Sequence, residues 1–166
     1  MNNNKTNILW VVNNIFPDLS KKIGFPEPYS GGWMFDTAKA LSMLPHINLS
    51  VATVYKDSFF NCKIDNISYF LLQSNSKLKF DSSLINQWNK VCNIVKPNLV
   101  HIHGSEYAHG LSLLSSSNKY KFVLSIQGLL SVCHNYYLGG LSKKSIILNT
   151  SSVSYTHLRA HETRGN

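Results

Sequence analysis

The first apolar run of the chain, "ILWVV", ends at Val12 and is flanked by Asn7 on one side and by Asn13 and Asn14 on the other. A short continuous run of this kind suits a strand buried on both faces of a parallel sheet. Residues 13–32 follow, with Pro17, Pro26 and Pro28, and read as one long loop. Loops of that length in compact domains are usually functional or disordered, and contact with a ligand is expected of this one. After "SGGW", the residues Met34, Ala38 and Leu41 fall at helical spacing, and Pro45 stops that helix after Leu44. Strand, glycine turn and helix make a βα unit.

Residues 48–54 and 67–72 read as two further strands. From Ser82, the residues Leu84, Trp88, Val91 and Val95 recur at helical spacing with Ile85 and Cys92 beside them, which predicts an amphipathic helix closed by Pro97. "NLVHI" is then a strand, "SEYAHGLSLLS" opens a helix, and "KFVLSI" is a strand ending at Gln127 and Gly128. Strands alternating with helices in this order predict an α/β fold, a Rossmann-like, doubly wound and mostly parallel sheet.

A chain of 166 residues supports one domain with a real core. With 43% hydrophobic and 14% charged residues, it reads as a globule rather than a polyelectrolyte. "ILWVV" is too short for a signal peptide, and no run is long enough to span a membrane. Cys62, Cys92 and Cys133 are odd in number and widely spaced, which argues against a disulfide framework or a zinc ribbon and for a cytoplasmic protein. A formal charge of +8 favours anionic partners. The lysines are scattered without an aromatic-interleaved stripe, so no nucleic-acid partner is expected. Peripheral contact with the inner face of a membrane stays open.

The last residues differ from the rest. Both arginines, Arg159 and Arg164, lie in "VSYTHLRAHETRGN", residues 153–166, whereas every lysine precedes it. This segment resembles translated sequencing-adapter readthrough. It is expected to be a non-native tail in which His157 and His161 carry no function, with residues 1–152 forming an incomplete domain of a longer protein.

In open α/β sheets, ligands bind outside the carboxyl ends of the strands. Three segments are expected at such ends and in one crevice: Gly31 and Gly32, then residues 103–109, then Gln127 with Gly128. A glycine pair before a helix allows close backbone approach and offers N–H groups to a phosphate or hydroxyl. No G-x-G-x-x-G and no Walker lysine follow the first strand, which removes support for dinucleotide and P-loop readings. Strand alternation puts His101 and His103 on one face, as in an H-x-H metal pair, and Glu106, His109 or His134 would be the third zinc ligand. Barrel hydrolases with that pair carry it near the chain start and need about 250 residues. The alternative for His101 is a core histidine between sheet and helix. Glu106 reads either as an acid or base or as a carboxylate at a helix start. Tyr107, Tyr136 and Tyr137 read as packing or surface aromatics, and Trp88 as core.

"SGGWMFDTAKAL", "KPNLVHIHGSEYAHGL" and "FVLSIQGLLSVCHNYYLGGL" together resemble the N-terminal half of a family 4 glycosyltransferase of the GT-B fold, over residues 7–141. The resemblance implies a retaining transferase that moves a sugar from a nucleotide-sugar donor to a glycan or lipid-linked acceptor. It implies no metal and no other cofactor. This half would mainly hold the acceptor, and a missing C-terminal domain would carry the nucleotide pocket and the E-x7-E motif. Gly31 and Gly32 would lie near the donor diphosphate, with His103, Gly104, Glu106, His109, Gln127 and Gly128 lining the transfer site. Many relatives have histidine where this chain has Gln127. His103 and His109 would act as neutral hydrogen-bonding groups, since a neutral imidazole offers one donor and one acceptor to a hydroxyl-rich ligand. The other readings are a non-catalytic α/β binding module and a metal-dependent hydrolase.

Overall fold

A computed structural model describes residues 5–26, 32–76, 79–116 and 119–126. Six strands form one sheet in the order β3-β4-β2-β1-β5-β6. Strand β1 (Thr6–Val11) lies at its centre, parallel to β2 (Ile47–Tyr55) on one side and to β5 (Leu99–His103) on the other. Outside β2 lies β4 (Ile67–Gln73), and outside β5 lies β6 (Lys121–Ser125), both parallel to their neighbours. Edge strand β3 (Phe60–Ile64) pairs with β4 antiparallel. Without β3, the parallel strands run third, second, first, fourth, fifth across the sheet. That order is compatible with a Rossmann-like fold, and its direction reverses between β1 and β5.

Period-two alternation sends the strands' side chains into two cores. On one face Leu9, Val11, Ala52, Val54, Phe70, Leu72, Val100 and Ile102 meet Leu84, Trp88, Val91 and Cys92 of α3 (Ser83–Val95) and Leu113 of α4 (His109–Ser116). On the other, Trp10, Leu49, Val51, Tyr69 and Leu71 meet Leu19 of α1 (Pro17–Ile23) and Met34 and Ala38 of α2 (Gly32–Ser42). Helices therefore cover both faces of the sheet's centre, as in a doubly wound sheet, while β6 at its edge is mostly exposed.

The expected loop over residues 13–32 contains a helix. Pro17 stands at the start of α1, and Gly24 ends it in the left-handed region at φ 68°. Proline is favoured there because its missing N–H would have no partner inside the helix, so Pro17 begins structure rather than breaking it. Asp18 anchors α1 to the sheet: the buried Tyr69 hydroxyl donates to its carboxylate oxygens at 2.8 and 3.1 Å. Strand β3 also escaped the sequence reading, because Asn61 and Lys63 interrupt it and its side chains are exposed or half-buried. Polar, partly exposed residues are typical of a protected sheet edge.

Helix α3 matches its expected span, and Asp81 rather than Ser82 caps it, its Oδ1 accepting from the Ser83 backbone N–H at 2.9 Å. Helix α4 begins at His109, so Ser105 to Ala108 form a turn and Glu106 is not a helix-start carboxylate.

Candidate functional site

The two strands on either side of the reversal end together. Beyond β1 come Val12 and Asn13; beyond β5 comes Gly104, whose N–H donates to the Ser125 carbonyl of β6 at 2.8 Å. Gly104 has φ 88°, a conformation that side chains disfavour. A Cβ on it would collide with the Glu106 carboxylate and lie 2.9 Å from the Asn13 Nδ2. The chain thus folds Glu106 back over Gly104, beside the end of β1.

His101 and His103 share one face of β5, as alternation requires, and their rings stack at 3.9 Å. This is the face of Trp10, which is in register with His101 on neighbouring β1. The Trp10 ring lies 4.4 Å from the His103 ring, and Trp33, the second residue of α2, lies 6.4 Å from it. His103 is 4% exposed, and among the described residues neither of its ring nitrogens has a hydrogen-bond partner. Burial, reinforced by neighbouring His101, pushes its pKa down to about 4, so the ring is neutral at physiological pH. Burial also lowers the His101 pKa. That ring has a partner, with Nε2 at 2.7 Å from the Ser125 Oγ. His101 fits the expected packing role, and His103 is the polar group left without a partner.

His109 opens α4, which packs on the sheet face opposite His103. Its ring is 2% exposed, with Nε2 3.2 Å from the Val12 carbonyl, and its own carbonyl accepts from the Trp88 indole at 3.1 Å. Those bonds join α4 to β1 and α3, a structural task that the expectation of a ligand-facing His109 did not include. Glu106 keeps one carboxylate oxygen, Oε2, buried without a hydrogen bond.

Gly32 opens α2 with its added Cβ meeting nothing within 4 Å. Packing among the described residues therefore does not require glycine there. Through Trp33 the structure brings this turn to His103. Gly31, Gln127, Gly128, His134, Tyr136, Tyr137, Cys133 and the segment 153–166 lie outside the described residues.

Sequence reasoning missed Trp10, Asn13 and Trp33. Trp10 reads as one more apolar residue of a buried strand, and Trp33 follows a glycine pair whose turn is the stronger local signal. Its exposure of 59% marks it as a candidate contact surface. Among the described residues no group of three His, Cys, Asp or Glu side chains converges to hold a metal ion, and no helix is long and apolar enough to cross a membrane.

What the fold and the strand ends define is a class: an α/β domain with a mostly parallel sheet and a buried, neutral histidine packed among aromatic rings at its reversal point. No family model, curated protein or solved structure matches the chain.

Proposed function

We propose that this domain is the acceptor-holding, N-terminal half of a retaining GT-B glycosyltransferase, which moves a sugar from a nucleotide-sugar donor onto a glycan or lipid-linked acceptor. One observation carries the reading: a neutral His103 ring with two unpartnered nitrogens sits between Trp10 and the exposed Trp33 at the strand-order reversal. Sugars present hydroxyls that need one donor and one acceptor, which the neutral imidazole supplies. They also present apolar ring faces that settle on an aromatic surface, and Trp33 offers one.

In this reading His103 orients the acceptor hydroxyl, and the buried Glu106 oxygen accepts a second hydroxyl beside it. Holding the attacking group in place can remove several kcal/mol from a barrier. The donor diphosphate approaches the open backbone at Gly32. A companion domain carries the nucleotide pocket in this reading.

The test is the genomic sequence beyond Ser152, followed by expression of the whole reading frame and a transfer assay over a panel of nucleotide sugars. Transfer that falls about a hundredfold in His103→Gln would support the assignment. A reading frame without a second Rossmann-like domain would overturn it. Glutamine is preferred to alanine because His103 is buried against Trp10 and His101, where truncation leaves a cavity.

A further inference from the structure

A second concavity opens along the same carboxyl edge, one strand further from the reversal. It has a volume of about 320 Å³ and lies where β2 and β4 end. Asn14, Ser20, Phe25, Tyr55, Lys56 and Asn75 are among the residues lining it. Phe25 and Tyr55 form one aromatic wall, their rings in edge-to-face contact at 5.6 Å. Ser20 is 0% exposed, and its Oγ has no hydrogen-bond partner. A buried hydroxyl without a partner is costly unless something else satisfies it.

The cleft is continuous in sequence with the histidine site. Asn13 lies against Gly104 and Glu106, and the next residue, Asn14, lines the cleft. Two strand spacings separate the β1/β5 end from the β2/β4 end, roughly 10 Å. A short oligosaccharide can bridge that distance, whereas a single sugar cannot. Volume agrees with one ring and its substituents, since this cleft sits near the small end of ligand sites, about 300–1,000 Å³.

The lining also sets the charge. It holds amides, hydroxyls, an aromatic wall and the Lys56 ammonium as its one charged side chain among the described residues, while two carboxylates stand behind hydroxyls at the margin, Asp57 on Tyr55 and Asp81 on Ser74 at 3.2 Å. We infer that the cleft is a remote acceptor subsite for a sugar ring bearing an anionic substituent, a uronate or a phosphate, which Lys56 pairs while Phe25 and Tyr55 cover the ring face. The inference rests on the sugar-acceptor reading above and narrows it to an acidic oligosaccharide.

Calorimetric titration of the full chain at low ionic strength tests it, because exposed charge pairs are screened by salt. The probes are a disaccharide ending in glucuronate, its neutral glucose counterpart, and the same disaccharide carrying a terminal phosphate. The expected result is that one anionic disaccharide binds about three- to fivefold tighter than the neutral one. The tighter of the two names the substituent. Lys56→Gln should erase the difference, whereas Lys5→Gln, just before β1 at the opposite edge of the sheet, should leave it intact. Equal binding of all three sugars, or equal loss in both lysine variants, overturns the anionic subsite and leaves the sugar reading standing. Failure of every disaccharide to bind overturns both.

Discussion

Lowering the pH from about 7.5 to about 4.5 should cost this protein stability through one buried ring, His103. Its two nitrogens lack partners, Trp10 packs on it at 4.4 Å, and His101 stacks on it at 3.9 Å. A proton placed there must leave water, and neighbouring His101 opposes it further. The ring therefore titrates near 4 in the folded state, against 6.5 in the unfolded chain. Between those values the unfolded state binds a proton that the folded state refuses, so stability rises with pH across that window. It is fully present above 6.5 and is lost as the pH falls toward 4. The gap corresponds to about 3 kcal/mol. That is a large part of the 5–15 kcal/mol that typically holds a domain folded.

The assay is urea unfolding of the wild type and His103→Gln from about pH 7.5 down to about pH 4. Carboxylates titrate in both proteins, so only the difference between the two pH profiles reports on the ring. The wild type should lose about 3 kcal/mol more than the variant between about pH 7 and about pH 4. Parallel profiles would refute the argument, as would a His103 ring resonance whose NMR titration has its midpoint near 6.5.

Gly104→Ala should destabilise by about 1–2 kcal/mol, because φ 88° is hostile to a side chain and the new methyl would displace the Glu106 carboxylate. Urea unfolding reads this directly, and an unchanged midpoint would show that the turn can relax. Trp88→Phe leaves the His109 carbonyl without its indole donor in a fully buried setting, so unfolding should show a loss of about 1–3 kcal/mol. Trp33→Ala should change stability by less than about 0.5 kcal/mol, since the residue is 59% exposed, yet weaken disaccharide binding about tenfold by titration calorimetry.

The elements that sequence revealed are those whose hydrophobic period is undisturbed by polar insertions. Leu84, Trp88, Val91 and Cys92 recur on one face of α3 and are all buried there. The 7–12 run is buried at its carboxyl half, as a central parallel strand should be. Helix α1 was hidden because it is only seven residues long and lies among three prolines, of which Pro17 has the helix-starting role. Strand β3 was hidden because an edge strand has one unpaired side and no need for alternation. Short or marginal elements depend on what they pack against. Tyr69, holding α1 through Asp18, is 51 residues away from it in sequence.

The candidate site was legible only in part for a related reason. Alternation alone places His101 and His103 on one face, and a glycine after a strand marks a place where the backbone turns sharply. Neither signal says which strand end lies beside which. That depends on the pairing of β1 with β5, which sets Trp10 opposite His101 and brings Asn13 to Gly104. Trp10 then removes water from the next histidine along the strand and keeps it neutral. The chemistry of His103 is thus a property of two strands joined at the reversal of the sheet, and a residue 93 positions earlier in the chain sets it as much as the histidine itself.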